Sequence, residues 1–272
     1  MIRAVNCLMA AVGVWIGAYL TWWLPVYYAP LMASLAAFCI CAAGNIINDL
    51  LDVEIDRVNR PDRVLVRGGL SIGYAKGLAA GLNVVALLLA VVVSVPVMLM
   101  ALAVIGLLAA YNVWLKKMPL VGNAAVALLA GLTFLTGGVA VDATMAFRLP
   151  GPLIPAIFAF FFHLVREIIK DVQDTDGDQR AGIRSLPLVA GVTASLTAAL
   201  ILFFVMALLT FVPIAYGWFG PAYKIITVYI VDLPVLCLLI IVWGYPSRAM
   251  LKAASLALKV GMMLGLLALM LG

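Results

Sequence analysis

The sequence predicts an all-α polytopic membrane protein, with nine transmembrane helices around a central cavity and a cytoplasmic N-terminus. Three observations carry that expectation. The chain of 272 residues is 67% hydrophobic and only 11% charged, with a mean hydropathy of +1.21. Soluble domains run near about 25% charged residues, so the polar surface here is too small to cover a globule in water. The apolar residues come in runs of the length that crosses a bilayer, about 20 residues. They lack the period-two alternation of a membrane β-barrel. The basic residues, finally, gather at one side of those runs.

Breaking the chain at Pro, Gly and charge clusters gives spans at 3–24, 30–51, 71–93, 96–115, 120–141, 152–171, 188–211, 222–243 and 249–271. Prolines 30, 96, 152 and 221 fall at or beside span starts, where a missing N–H costs little. The first run has no leader-like architecture and is expected to be a span. Fourteen of the 17 basic residues then share one face, including Arg3, Arg57, Arg60, Arg63, Arg67, Lys116, Lys117, Arg166, Lys170, Arg180, Arg184 and Arg248. That face is cytoplasmic by the positive-inside rule. The +5 net charge is therefore membrane topology, and no nucleic-acid partner is expected. Cys7, Cys39, Cys41 and Cys237 lie in apolar runs and form no disulfide or metal-ligand pattern.

Ten of the 12 acidic residues fall into two groups. "NIINDLLDVEIDRVNRPDR" carries Asp49, Asp52, Glu54, Asp56 and Asp62; "REIIKDVQDTDGDQRAGIRSLP" carries Glu167, Asp171, Asp174, Asp176 and Asp178. Both follow an even-numbered span, so both sit at its cytoplasmic end. Asn48, Asp52 and Asp56 recur every four residues, as do Asp174 and Asp178. Residues four apart share a helix face, and like charges there repel, so the pattern costs stability unless a cation binds. Carboxylates suit Mg²⁺, which is typically held by one or two of them plus substrate phosphates. Glu54 and Asp62 fall off the first face and are expected to be solvated.

A solvated charge run is the plain alternative for either cluster alone, and two matched clusters on one side argue against it. A calcium loop is excluded in "DTDGDQRAGIRS": Gln179 stands at the sixth position, which requires Gly, and Ser185 at the twelfth, which requires Glu. A secondary transporter places its charges near the membrane centre. Here only Asp232 and Lys259 lie at mid-span, and they are expected to pair with each other or to line the lipid-chain cavity. His163, the single histidine, is expected to make a polar contact between helices.

The two clusters resemble the signatures of the UbiA-type intramembrane prenyltransferases. The first, Asn-Asp-x-x-Asp-x-x-x-Asp and an Arg-Pro element, stands as Asn48, Asp49, Asp52, Asp56, Arg60 and Pro61. The second, Asp-x-x-x-Asp leading to Gly-Ile-Arg-Ser, stands as Asp174, Asp178, Gly182, Ile183, Arg184 and Ser185. The resemblance runs along nearly the whole chain and implies one domain over 1–272. It departs after span 4, where "YNVWLKK" puts Lys116 five residues after Tyr111 instead of four.

The resemblance implies transfer of an isoprenoid chain from an allylic diphosphate to an acceptor, with the active site facing the cytoplasm. It assigns Mg²⁺–diphosphate binding to Asn48, Asp52, Asp56, Asp174 and Asp178, with Asp171 as an addition. Asp52, Asp56, Asp174 and Asp178 would be the catalytic set. Diphosphate contacts fall to Arg60, Arg63, Arg67, Lys116, Lys170, Arg180 and Tyr111. The allylic cation needs shielding from water, and Phe38, Phe134 and Phe162 lie on helices near the site. "REIIKDVQDTDGD" and "LKKMPLVGN" look most like the archaeal ether-lipid branch, which transfers a geranylgeranyl group to the lipid alcohol geranylgeranylglyceryl phosphate. The alternative acceptor is an aromatic ring of the hydroxybenzoate or naphthoate type, as in quinone biosynthesis.

Overall fold

A computed structural model describes residues 1–21, 27–59, 61–182 and 184–272. The last three residues of the expected first span, together with Arg60 and Ile183, lie outside the described residues, as does the Arg180 side chain. The described residues form helices and no strands. They divide into two compact units: residues 1–114 with 132–156, and residues 115–131 with 157–272.

In the first unit, α1 (Ala4–Tyr19) and α2 (Tyr28–Leu51) are followed by the short α3 (Val53–Asn59), then by α4 (Ile72–Val93) and α5 (Val95–Val113). Small residues set how closely these helices approach, as expected where lipid removes the hydrophobic drive between helices. Ala75, Ala79, Ala86 and Ala90 form a buried stripe on α4, and α4 packs against α2. Ala33, Ala36, Ala43 and Ile46 are the buried partners on α2. The chain turns between α4 and α5 at Ser94, whose hydroxyl accepts from the Val97 N–H (3.3 Å) just before Pro96. α6 (Val121–Val141) contributes its C-terminal half to this unit. There a Cβ on Gly17 would collide with the Phe134 carbonyl, and one on Gly137 with the Val14 carbonyl.

The second unit takes the start of α6, most of α7 (Leu153–Ala181), α8 (Leu186–Ala190), α9 (Val192–Leu209), α10 (Phe211–Ala215) and α11 (Pro221–Lys224). A π-helical stretch over Ile225–Asp232 leads into α12 (Leu233–Gly244), and α13 (Arg248–Leu271) follows. Pro234 has no N–H to give and crowds the carbonyl four residues back; the wider π turn directly before it accommodates that loss. The core gathers Val165, Ile168 and Ile169 of α7 with Phe203, Met206, Val231, Leu239, Val242 and Leu258.

Seven helical segments among the described residues are long and apolar enough to cross a membrane. α1 has 16 residues, and the second half of α7 is charged. Three joints differ from uninterrupted spans. Gly191, in the left-handed region at φ 89°, separates α8 from α9, and the π turn interrupts the eighth run. Asp52 breaks α2 from α3, with φ −96° and ψ 5°. The i to i−4 backbone bonds nevertheless run on through it, from Asp52 N–H to the Asn48 carbonyl (3.0 Å) and from Asp56 N–H to the Asp52 carbonyl (2.8 Å).

The expected pairing of Asp232 with Lys259 does not form. Asp232 is buried and accepts from the Thr210 hydroxyl at 2.7 Å, while Lys259 is exposed. Spacing in sequence placed both at mid-span, but helix rotation, set by packing, turns them to different surroundings.

Candidate active site

The first acidic segment closes on itself at the end of α2. Asp49 is buried and takes Arg3 at 3.0 Å and Arg63 at 2.9 Å. Arg63 also pairs with the buried Asp56. Asn48 donates its side-chain amide to Asp52 at 3.0 Å. The loop that returns Arg63 to the helix is anchored by Leu65, packed with Ala43, Ile46 and Val53. It turns at Gly68, whose φ of 69° suits a residue without Cβ. Glu54 pairs with Arg57 in the open, at side-chain exposures of 78% and 60%; Asp62 and Arg67 are exposed. Asp49, adjacent to the four-residue series, is thus the anchor that gathers Arg3 and Arg63.

The second segment is helical from end to end, because α7 continues to Ala181. Its carboxylates fall into two kinds. Glu167 is bound to Lys170 at 2.8 Å and to Arg166 at 3.3 Å, and Asp176 to Arg248 at 2.7 Å. Asp171 accepts from the Asn123 amide at 2.8 Å. For Asp174, which is exposed, and Asp178, half-buried, no ion pair forms among the described residues. Burial holds the Asp178 carboxyl above its ordinary 3.8, and the Asp174 carboxylate one turn away adds to the rise.

Among the described residues no three potential metal ligands converge. A pair of carboxylates without a cation partner fits Mg²⁺, which completes its octahedron with waters and substrate phosphates. Lys116 lies half-exposed in a 3₁₀ turn over Leu115–Lys117, and Tyr111 half-buried on α5. Phe162 is buried edge-on against Phe203, with ring centroids 5.8 Å apart, and Phe134 is buried too; both are core residues. A 370 Å³ cavity lined by Tyr28, Ser94, Pro96 and Asp142 opens near the N-terminal end of α2, away from Asn48.

Long apolar helices with carboxylate segments at the ends of two of them define a polytopic membrane protein whose polar segments suit a cation. The chain belongs to the UbiA prenyltransferase family, whose family model matches residues 4–263, and it is accordingly a prenyltransferase. It is 35% identical to the digeranylgeranylglyceryl phosphate synthase of Methanopyrus kandleri over 98% of this chain and 95% of that one. With the enzyme of the same name from Natronomonas pharaonis it shares 36% identity over 98% and 96%. A solved structure concerned with digeranylgeranylglyceryl phosphate synthase in membranes superimposes with a TM-score of 0.82 at 31% identity, covering 100% of this chain and 95% of that one. The fold is shared with a UbiA homologue from Archaeoglobus fulgidus bound to GPP and Mg²⁺, with a TM-score of 0.63 at 18% identity over 97% and 95% of the chains.

Proposed function

We propose that the protein moves a geranylgeranyl chain from geranylgeranyl diphosphate to the free hydroxyl of geranylgeranylglyceryl phosphate, at the cytoplasmic face of the cell membrane, with Mg²⁺. The chain acts as one domain of nine spans with its N-terminus in the cytoplasm. α1 and the apolar start of α7 join the seven longer apolar segments as spans. The distribution of basic residues supports this topology, and the full-length likeness to the named synthases supports the acceptor.

One observation carries the site assignment. On α7, Glu167 and Asp176 are neutralised by protein cations, whereas Asp174 and Asp178 have no cation partner among the described residues. An exogenous cation offsets that repulsion. Asp171, Asp174 and Asp178, with Asn48, Asp52 and Asp56 of the first segment, hold Mg²⁺ and the diphosphate. Bound there, Mg²⁺ supplies charge stabilisation for the departing diphosphate.

The chain's own groups do the rest. Arg60, Arg63, Arg67, Lys116, Lys170, Arg180 and Tyr111 bind phosphate oxygens, and Arg63 exchanges Asp56 for the substrate when it arrives. The bond from the allylic carbon to oxygen breaks with its electron pair leaving on the diphosphate. The acceptor hydroxyl oxygen bonds to that carbon, and its proton passes to the diphosphate product. Apolar helices exclude the water that would otherwise quench the cation.

The test is purified protein in liposomes with Mg²⁺ and labelled geranylgeranyl diphosphate, offered geranylgeranylglyceryl phosphate or hydroxybenzoate. Labelled diether phosphate and matching diphosphate release are expected with the lipid acceptor. Prenylation of hydroxybenzoate alone would move the protein to the aromatic branch.

A further inference from the structure

α7 carries a second polar face that the carboxylate chemistry leaves unexplained. Five buried side-chain polar atoms lack a hydrogen-bond partner among the described residues: Ser34 Oγ, Asn112 Oδ1, Arg166 Nε, Gln173 Nε2 and Ser185 Oγ. The two nitrogens are donors, and both stand on α7, seven residues apart. Seven residues is close to two helical turns, so they share a face. Lys170 lies between them on that face, its ammonium turned to Glu167 at 2.8 Å.

At about 100° per residue, Arg166, Lys170 and Gln173 fall within roughly 60° of helix circumference. Asp171, Asp174 and Asp178 fill a separate arc centred about 100° away. α7 therefore sets an arc of donors beside an arc of carboxylates. A buried donor without an acceptor bears its full desolvation cost. Both donors lack an acceptor, and one of them belongs to a guanidinium, so an oxygen-rich anion matches the pair. Arg166 and Gln173 are separated by a rise of about 10 Å, a length suited to a phosphate together with the polar atoms beside it, rather than to a single ion.

We propose that Arg166 and Gln173, on either side of the diphosphate-binding Lys170, form the subsite for the phosphate monoester headgroup of the acceptor lipid, next to the carboxylates that serve the donor diphosphate. This inference rests on the lipid-alcohol reading of the acceptor. Hydroxybenzoate offers one small carboxylate in place of a phosphate monoester and the glycerol oxygens beside it, so Arg166 and Gln173, spread along the helix, are specificity-determining residues for the longer headgroup. Binding the two anionic substrates on adjacent arcs of one rigid helix fixes the distance between their reacting ends.

The experiment uses the full chain in vesicles of uncharged phosphatidylcholine and measures KM separately for the acceptor and for geranylgeranyl diphosphate. Glycerol 1-phosphate serves as a soluble headgroup competitor. Arg166→Gln is expected to raise the acceptor KM and the glycerol 1-phosphate inhibition constant about ten- to a hundred-fold, the worth of a charged hydrogen bond. The diphosphate KM should stay within about two-fold, because its ligands are untouched. Gln173→Leu should raise the acceptor KM while leaving the thermal midpoint of the empty protein unchanged or higher, since it removes a buried donor.

Equal rises in both KM values, or none, would overturn the subsite while leaving the acceptor reading intact. A Gln173→Leu protein of lowered midpoint and unchanged KM would make that residue a packing element and overturn it as well. Inhibition by an added anionic phospholipid that Arg166→Gln abolishes, with the acceptor KM unmoved, would give these donors to bilayer headgroups instead. A wild-type protein that prenylates only hydroxybenzoate fails at the acceptor reading itself, and the subsite falls with it.

Discussion

Asn123, at the start of α6, donates a 2.8 Å hydrogen bond to the Asp171 carboxylate on α7. The bond spends one lone pair of Asp171 and fixes its rotamer, leaving the other oxygen directed by the first. Partners that orient a ligand without touching the metal typically set affinity by about 10- to 100-fold. Asn123→Leu should therefore raise the Mg²⁺ concentration for half-maximal activity by about that factor, with most of kcat returning at saturating Mg²⁺. A Mg²⁺ titration identical to wild type would reduce Asn123 to a packing residue.

Asp174 and Asp178 present like charges one turn apart, worth about 0.2–0.5 kcal/mol of repulsion on a helix. Asp174→Asn should abolish turnover and leave the metal-free protein as stable as wild type, or slightly more so. Mg²⁺ stabilises whichever state binds it. The rise in unfolding midpoint that Mg²⁺ gives the wild type should accordingly vanish in the variant. A variant destabilised without metal, with its Mg²⁺ response intact, would remove Asp174 from the ligand set.

The raised pKa of Asp178 has a definite sign in stability. Between 3.8, its unfolded value, and the higher folded value, the native state binds more protons than the unfolded one. Stability of the metal-free protein therefore falls as pH rises through that window and is level above it. Activity runs the other way, since Mg²⁺ requires the ionised carboxylate. It should be lost on acidification, and excess Mg²⁺ should move the midpoint lower. Unfolding midpoints against pH without metal, and rates against pH at two Mg²⁺ concentrations, check both halves.

The helical runs were legible because apolar length, Ser94, Pro96 and the clustered arginines are one-dimensional signals. The acidic clusters were legible because a spacing of four is a helix face. What escaped depends on helix rotation and distant packing. Asp49 breaks the four-residue series, so nothing in the sequence announces that it gathers Arg3 and Arg63. Asn123 and Asp171 lie 48 residues apart, and Arg166 reads as one more topology charge until its Nε proves to lack an acceptor. Asp232 and Lys259 show the converse error, in which equal depth was taken for proximity. The π turn before Pro234 was hidden because it leaves the apolar run unbroken.

Asp232 offers the sharpest test of the packing away from the site. The Thr210 hydroxyl stands 2.7 Å from the Ala207 carbonyl and 2.7 Å from Asp232 Oδ2. The Tyr223 hydroxyl donates to the Thr210 carbonyl at 3.3 Å. Thr210 thus ties the end of α9 to the π turn. Hydrogen bonds between helices in a membrane average about 0.6 kcal/mol and reach about 1.7, and removing one partner alone strands the other. Thr210→Val should therefore destabilise by about 1 kcal/mol or more, and Asp232→Leu likewise, while the double variant should cost less than their sum. Asp232→Asn should be nearly neutral, because its amide can donate to the Thr210 oxygen while the Thr210 hydroxyl donates to Ala207. The measurement is a double-mutant cycle of unfolding in mixed micelles. Strictly additive single losses would show that the bond contributes nothing and that the π turn is held by Pro234 and apolar packing alone.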